Sequence, residues 1–356
     1  MINALGSLIL ALKIIVMNVD LRSDTITQPT EGMLKAMFSA KVGDDVIDID
    51  PTTRELENQL AAAFGFDRGL FCPSGSMANQ IALMMHVKPG DEIICDALSH
   101  IYWYEGGGPA ANAGASLRMV QGDRGRLNAK MVQDAINPDN EHAAQTALIS
   151  LENTANKAGG TCYDIDEIRS ICNLAKSHGL PVHLDGARLY NAMAATQQSP
   201  SDYHGLFKSM SICLSKGLGC PVGSVLLVND SDYRMARRIR KRIGGGMRQS
   251  GFLAAAGLYA LSNHVERLQM DHQRATDLAT CLNECTWVER VIEPETNIVV
   301  FFPKAPLDAV QDALREKGIH ILPMGGGALR MVTHLHITDE AISYCNEILK
   351  NLNVMP

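Results

Sequence analysis

Short apolar segments alternate with longer amphipathic segments through most of the 356-residue sequence. The apolar segments are typical of β-strands, which we predict at residues 69–73, 92–96, 116–120, 146–151, 181–184, 209–214 and 223–229. Several intervening segments carry apolar residues at helical spacing, for example residues 76–86 and 165–178. Strands that are joined by helices of about 10–15 residues form βαβ units, and these build a mostly parallel sheet with helices on both faces. The sequence therefore predicts an α/β fold for residues 19–286.

The pattern changes near residue 287. Residues 291–302 and 328–335 have strand-like composition, residues 307–317 are typical of a helix, and Thr338 begins a last helix. This order predicts a smaller α+β domain over residues 287–356. The long stretch that precedes it, from residue 249 to about 285, is predicted to be helical.

The first 18 residues form a separate segment. Its apolar run, residues 5–17, is interrupted by Lys13 and is too short to span a bilayer. The segment also lacks the basic region and the cleavage site of a signal peptide. Two interpretations stay open: translation that begins at Met17, directly before the first strong motif, or a loosely docked N-terminal helix.

Charge and cysteine content exclude several classes of protein. A net charge of −7 and a pI of about 5.9 argue against a protein that binds nucleic acid or a membrane surface. The nine cysteines are an odd number and include no C-x-x-C pair. We therefore expect reduced thiols in a cytoplasmic protein, and no metal site.

Polar side chains follow several predicted strands at the point where each strand ends. A Ser-Gly-Ser turn at residues 74–76 follows the first strand, His100 follows the second, Asp185 the fifth and Lys216 the sixth. Ligands of open parallel sheets bind beyond the carboxyl ends of the strands, so these groups are candidates for one site. Each also has an ordinary structural explanation, such as a helix N-cap, a packed histidine or a solvated lysine.

The combination favours pyridoxal phosphate. A lysine can bind this cofactor as an imine, while an aspartate pairs with its ring nitrogen. Lys216 follows apolar residues, a setting that favours a reactive amine, and Asp185 ends the neighbouring predicted strand. Backbone N–H groups and hydroxyls at the start of a helix suit a phosphate. The sequence has neither a GxxxxGK[ST] motif nor a GxGxxG motif near its first strands, which disfavours a nucleotide-binding oxidoreductase.

Eight short segments stand out along the sequence: residues 20–25 (DLRSDT), 42–45 (VGDD), 73–79 (PSGSMAN), 100–102 (HIY), 151–154 (LENT), 183–188 (HLDGAR), 213–219 (CLSKGLG) and 244–249 (GGGMRQ). With these segments in this order, the sequence resembles the low-specificity L-threonine aldolases over about residues 19–350. The family consists of pyridoxal phosphate enzymes related to the aromatic β-eliminating lyases. The resemblance implies the fold of the PLP-dependent transferases, aspartate aminotransferase fold type I. It also implies cleavage of L-threonine or L-allo-threonine to glycine and acetaldehyde.

The resemblance assigns the cofactor-binding residues. Lys216 corresponds to the lysine that carries the cofactor, and Asp185 to the partner of its ring nitrogen. Gly75 and Ser76 correspond to the phosphate-binding turn, where the family more often has threonine than serine. His100 corresponds to an imidazole that stacks on the cofactor ring and lies near the substrate hydroxyl.

Further residues are assigned to the substrate and the phosphate in the same way. Ser23, Arg188 and Arg330 correspond to groups that hold the substrate carboxylate, and Arg188 also contacts the cofactor. Lys241 and Arg248 correspond to basic residues near the phosphate, which a neighbouring subunit can supply. His142 corresponds to a second histidine near the reacting hydroxyl. Guanidinium groups suit a carboxylate because their N–H donors form a planar fork. Either His100 or His142 is the expected base.

Two departures from the family pattern keep alternatives open. Ala155-Asn156 follows the LENT segment where the family usually has His-Asn, and residues 47–50 (IDID) replace a usual Tyr-Gly-Glu-Asp. A related aldolase of the phenylserine type and a β-eliminating lyase therefore remain alternatives. A scaffold that holds the cofactor without turnover is disfavoured by the complete set of carboxylate-binding positions. The resemblance finally implies an amino acid substrate and a homotetramer built from dimers.

Overall fold

The computed structural model, which describes residues 17–354, is built around a seven-stranded sheet. The interpretations of the N-terminal segment fall on residues 1–16 and lie outside the described residues. The strands of this sheet and of two smaller sheets, numbered together in chain order, are β1 (Val19–Asp20), β2 (Arg68–Cys72), β3 (Glu92–Asp96), β4 (Ser116–Val120), β5 (Thr146–Glu152), β6 (Val182–Gly186), β7 (Ser209–Cys213), β8 (Ser224–Val228), β9 (Val288–Ile292), β10 (Ile298–Pro303), β11 (Ile319–His320), β12 (Leu322–Gly325) and β13 (Ala328–Val332).

The large sheet has the strand order β2-β8-β7-β6-β5-β3-β4. Within it, β8 runs antiparallel to its neighbours β2 and β7, whereas all other neighbouring strands pair in parallel. The predicted α/β fold with a mostly parallel sheet is confirmed.

Helices connect the strands and cover the sheet. They are α1 (Glu31–Phe38), α2 (Pro51–Phe64), α3 (Gly75–His86), α4 (His100–Trp103), α5 (Ala129–Ala135), α6 (Ile165–Ser177), α7 (Leu189–Thr196), α8 (Asp230–Arg242), α9 (Gly251–Asn263), α10 (Leu268–Glu284), α11 (Leu307–Glu316) and α12 (Asp339–Asn351). The predicted helical region from residue 249 to about 285 is confirmed, and it consists of two helices, α9 and α10. The chain turns between them, where the His264 ring bonds the carbonyl oxygen of Leu218 at 2.8 Å.

Capping residues explain where several helices begin. Asp50 accepts the N–H of Thr53 at 2.9 Å, and Pro51 occupies the first position of α2. The Thr338 hydroxyl accepts the N–H of Ala341, which confirms the predicted start of the last helix. At these two helices the N-cap residue that the sequence offers makes the capping hydrogen bond.

A second, antiparallel sheet has the strand order β12-β13-β10-β9, and the short strand β1 pairs in parallel with β11 beside it. Buried side chains of α10, including Leu278 and Leu282, pack in the same apolar cluster as Phe301 and Leu329 of this sheet. Val19 of β1 belongs to that cluster as well. The predicted domain division at residues 286/287 stays a prediction. Although β1 and α10 precede this division in the sequence, their side chains pack against residues that follow it.

Two further features bear on the class of protein. Among residues 17–354, no helix is both long and apolar enough to cross a membrane. All nine cysteines are free and buried.

Glu57 on α2 is a carboxyl group buried against β2. Its Oε1 accepts the backbone N–H of Phe71 at 2.7 Å, and 5% of the residue is exposed. Burial raises the pKa of Glu57 to about 8, and the nearby charge of Asp45 acts in the same direction. The folded protein therefore holds a proton here that the unfolded chain releases near pH 4.5.

This buried proton predicts a pH-dependent effect of Glu57→Gln on stability. Because the folded pKa is raised, the stability contribution of Glu57 is present below about pH 4.5 and is lost as the pH rises to about 8. The glutamine keeps the oxygen that accepts from Phe71 but cannot ionise. We expect the variant to gain a few kcal/mol of unfolding free energy over the parent at alkaline pH and little at acidic pH. Urea unfolding across this pH range measures the gain, and Glu55→Gln, an exposed position on the same helix, is the control. Equal responses of the two variants would contradict the prediction.

Candidate active site

The predicted site residues gather at one edge of the large sheet. β2 ends just before the turn Ser74–Ser76, which we call the phosphate turn, β6 ends around Asp185, and β7 ends three residues before Lys216. Because β6 and β7 are neighbours and run in parallel, their carboxyl ends lie side by side. The topology therefore brings the cofactor-binding positions together.

Lys216 presents an amine at this edge. Its Nζ lies 3.6 Å from the Cys213 sulfur, and its side chain is half-buried. A tight turn follows, in which the N–H of Gly219 donates to the Lys216 carbonyl at 2.7 Å with Gly219 at φ +77°. That backbone conformation favours glycine. The turn therefore fixes the position of Lys216 just after β7. Its amine forms no ion pair with any of the described residues.

The phosphate turn begins α3. The Ser74 hydroxyl accepts the N–H of Met77 at 3.2 Å and so caps the helix. Gly75 and Ser76 are the first helical residues and are partly exposed, which leaves their N–H groups and the Ser76 hydroxyl available. Such a helix N-terminus fits a phosphate.

The GGGMRQ segment packs beside this helix. A Cβ on Gly245 would clash with the side chain of Met77, so a larger residue there would displace that side chain. Lys241 is exposed on α8, and Arg248 forms a 2.8 Å ion pair with Asp44 while 56% of its side chain is exposed. Their predicted role at the phosphate stays a prediction that requires another subunit or a rearrangement of Arg248.

Asp185 is held rigidly at the end of β6. It is 3% exposed, and it accepts the N–H of Ala187 at 3.0 Å and the Nδ2–H of Asn79 at 2.7 Å. The Asn79 amide also donates to Glu105 at 2.9 Å and accepts from the Ser211 hydroxyl at 2.8 Å. A carboxylate fixed in this way suits a protonated ring nitrogen.

His100 lies beside Asp185. Its main-chain N–H donates to Glu152 at 2.7 Å, and its ring Nδ1 lies 3.0 Å from Glu105. One polar side-chain atom from each of His100, Glu105 and Asp185 lies within 4.8 Å of those of the other two. Burial alone would lower the pKa of His100, but the bond to Glu105 and the charges of Asp185 and Glu152 outweigh it and raise this pKa. Burial and the charge of Asp185 raise the pKa of Glu152 to about 7.

The two predicted carboxylate-binding arginines have different surroundings. Arg188 forms a buried two-pronged ion pair with Asp24, at 2.8 Å and 2.7 Å, and its remaining nitrogen donates to Asn156 at 3.0 Å. Burial alone would raise the pKa of Asp24, but Arg188, with a smaller contribution from Lys216, holds it at about 2. The charge of Arg188 is thus already compensated within the protein.

Arg330 has no carboxylate partner among the described residues. It donates to the Asn156 side chain at 3.2 Å and to the carbonyl of Arg22 at 3.0 Å, while its buried Nε has no partner in the structure. Burial and the charge of Arg188 lower its pKa. Ser23 follows Arg22 in the chain, and its hydroxyl oxygen accepts the main-chain N–H and the hydroxyl of Thr25 at 3.2 Å and 2.8 Å. Of the two arginines, Arg330 has the charge that is available for a carboxylate, and the roles of Ser23 and Arg188 stay predictions.

The structure does not bring His142 to this cluster. It lies in the connection between α5 and β5, where 85% of its side chain is exposed. This connection precedes β5, whereas the site lies at the opposite end of that seven-residue strand, about 20 Å away. The predicted role of His142 at the reacting hydroxyl stays a prediction, which would require the His142 of another subunit.

Several polar residues of the site were not predicted as site residues. They are Asp24, Asn79, Glu105, Glu152 and Asn156. Four of them lie within or next to the motifs DLRSDT, PSGSMAN and LENT, so position within a motif was the available signal. Glu105 lies outside these segments, five residues after His100, and the sequence gave no signal for it.

The site as a whole fits pyridoxal phosphate. It offers an amine at Lys216, a fixed carboxylate at Asp185, a helix N-terminus at the phosphate turn and a free cation at Arg330. These are the donor types that this cofactor and an amino acid require.

Comparisons with known proteins agree with this geometry. The β-eliminating lyase family matches residues 20–306. Low-specificity L-threonine aldolase 1 of Arabidopsis thaliana is 38% identical over 336 residues, covering 92% of this chain and 94% of that protein. The low specificity L-threonine aldolase of Escherichia coli K12 is 39% identical over 326 residues, covering 91% of this chain and 96% of that protein.

Solved structures show the same fold. A threonine aldolase of Leishmania major has a TM-score of 0.81 at 21% identity, covering 94% of this chain and 99% of that chain. An aspartate aminotransferase of Rhizobium meliloti has a TM-score of 0.69 at 14% identity, covering 94% and 90%. The predicted fold-type-I architecture is confirmed, and the chain belongs to the β-eliminating lyase family and, within it, to the low-specificity L-threonine aldolases.

Proposed function

We propose that this enzyme is a pyridoxal phosphate-dependent lyase that cleaves L-threonine and L-allo-threonine to glycine and acetaldehyde. The observation that carries the proposal is the convergence of Lys216, Asp185 and the phosphate turn at one sheet edge, next to the uncompensated cation of Arg330. The sequence identity with aldolases of this name supports the same reaction.

The cofactor would be held by three parts of the site. The Lys216 amine would bind it covalently, the phosphate turn would accept its phosphate, and Asp185 would pair with its ring nitrogen. When bound, the cofactor draws electrons from the substrate carbon whose bond breaks. The Asn79 bond keeps the Asp185 carboxylate oriented for that pairing.

The remaining residues bind and orient the substrate. Arg330 and the Ser23 hydroxyl would hold its carboxylate, and Asn156 positions Arg330 by accepting one of its N–H groups. Holding the substrate by this end fixes which of its bonds faces the cofactor. The unprotonated ring of His100 would take the proton of the β-hydroxyl group, as a positioned imidazole does in general base catalysis.

We propose that the enzyme works in the cytoplasm as a homotetramer built from dimers and that it has no nucleic acid or membrane partner. The net charge of −7 supports the absence of a nucleic acid partner. Exposed apolar side chains near the N-terminal part, Phe38, Ile47 and Ile49 at 84%, 64% and 60% exposure, support burial against another subunit. Sedimentation analysis of the purified enzyme tests the assembly.

The function is tested by product analysis. The cofactor-loaded protein is incubated with L-threonine, and acetaldehyde is detected by NADH oxidation in the presence of alcohol dehydrogenase. We expect equal amounts of acetaldehyde and glycine. Benzaldehyde from phenylserine with no reaction on threonine would favour the phenylserine-type aldolase. Release of a keto acid and ammonia would favour a β-eliminating lyase.

A further inference from the structure

Glu105 is a buried carboxylate that holds neither the cofactor nor the substrate in the proposed function. Its side chain is 1% exposed, in the segment that follows α4. It lies at hydrogen-bond distance from three side chains: Asn79 at 2.9 Å, Gln80 at 2.5 Å and the Nδ1 of His100 at 3.0 Å. A carboxylate in this position beside the candidate base requires an explanation.

We propose that Glu105 is a positioning residue that keeps the proton of the neutral His100 ring on Nδ1, so that Nε2 is the atom that takes the β-hydroxyl proton. The inference rests on the proposed function, since it concerns the base of that reaction. Glu105 does not touch the substrate in this scheme and acts through the imidazole.

The surrounding hydrogen bonds determine the direction of the Glu105–His100 bond. The Asn79 amide must direct its NH₂ group at Glu105, because its oxygen accepts from Ser211 and lies 3.2 Å from His183 Nε2. The Gln80 amide likewise directs its NH₂ group at Glu105, because its oxygen accepts from Asn112 at 3.1 Å. Glu105 therefore receives donors from both amides, which suits an ionised, acceptor-only group. The His100 ring must then donate from Nδ1.

Charged groups reach His100 from each element that packs against it. They are Glu105 from the segment after α4, Glu152 from β5 and Asp185 from β6, and the ring of Tyr104 lies 5.4 Å away. Together they raise the pKa of His100. Among the described residues, Glu105 is the one whose side chain forms a hydrogen bond with the His100 ring. Removal of Glu105 should therefore change which ring nitrogen of His100 carries the proton and should also lower the pKa of this ring.

The first test compares Glu105→Gln and Glu105→Leu by their pH profiles. Loss of the negative charge in Glu105→Gln should move the acidic limb of kcat/KM to lower pH. Loss of the bond in Glu105→Leu should lower kcat by about 10²-fold, the lower end of what general acid–base catalysis contributes. Both variants should keep the visible absorption band of the bound cofactor. Glu92→Gln, at the opposite end of β3 and likewise bonded to an amide, should leave the limb in place.

The second step repeats both substitutions in a His100→Phe background. If Glu105 acts through the ring, neither substitution has a further effect there, because the pair is fully coupled. An unchanged acidic limb in Glu105→Gln, or an equal loss of activity with and without the histidine, would overturn the proposal.

A measurement that does not depend on turnover separates this proposal from the function itself. Solid-state ¹⁵N NMR of histidine-labelled holoenzyme, with the His100 signals assigned by their absence in His100→Phe, reports which ring nitrogen carries the proton. We expect a protonated Nδ1 in the neutral ring and its loss in Glu105→Leu. A proton on Nε2 in the parent overturns the role of Glu105 even if threonine is cleaved. If Nδ1 is protonated but threonine yields no aldehyde, the role of Glu105 toward His100 would stand and the proposed substrate would be wrong.

Discussion

Replacing Lys216 with alanine is expected to abolish threonine cleavage, with a loss of kcat on the order of 10⁵-fold. The Lys216 amine lies just after β7, beside the sulfur of Cys213. No other lysine among the described residues contacts this sulfur, so none is placed to replace Lys216. Without it the cofactor has no covalent attachment, so the visible absorption band of the lysine-bound cofactor should be lost. The spectrum of the reconstituted variant and its rate of aldehyde release measure the two effects.

Lys208→Ala is the matched control. Lys208 directly precedes the other end of β7 and forms a 2.7 Å ion pair with Asp232. This variant should keep both the absorption band and turnover. A Lys216→Ala protein that retains the band would show that another residue carries the cofactor, and the assignment of the sheet edge would have to change.

The sheet and the cofactor-binding edge were predictable because strand ends carry their own signals. Asp185 lies at the end of one buried strand and Lys216 follows the next, and the parallel pairing of β6 with β7 makes their adjacency a consequence of the topology. The antiparallel direction of β8 could not be read from the sequence in the same way, since its composition is equally apolar. The helical pattern of residues 249–285 does not show where α9 ends and α10 begins, because the chain turns there at a tertiary contact of His264.

The pairing of charges was less predictable than their presence. The sequence places Asp24 and Arg188 far apart, and only the fold shows that they neutralise one another in the interior. Asn156 is a similar case, because a single amide oxygen that serves two arginines has no sequence signature. His142 lies in an exposed loop, and its predicted role would depend on the packing of subunits, which a single sequence does not show.

Arg330→Leu should lower kcat/KM for threonine by about 10²–10³-fold, the range expected when one partner of a buried charged hydrogen bond is removed. Arg330 is the arginine at the site whose charge has no carboxylate partner among the described residues, which leaves it free for the substrate carboxylate. The cofactor is held elsewhere, so its absorption band should persist. The loss should fall mainly on KM, because the carboxylate is bound in the ground state and in the transition state alike.

Arg188→Leu discriminates between the two arginines. Its removal leaves Asp24 as a buried, unpaired carboxylate, so we expect a loss of about 3–5 kcal/mol of unfolding free energy. Arg330→Leu should cost much less stability, because no carboxylate in the described structure depends on it. Arg290→Leu, an exposed arginine on β9 that lies over the Phe302 ring, should change kcat/KM little. If Arg188→Leu instead folds with parent stability and loses substrate binding while Arg330→Leu does not, the roles of the two arginines are reversed and the free charge of the site belongs to Arg188.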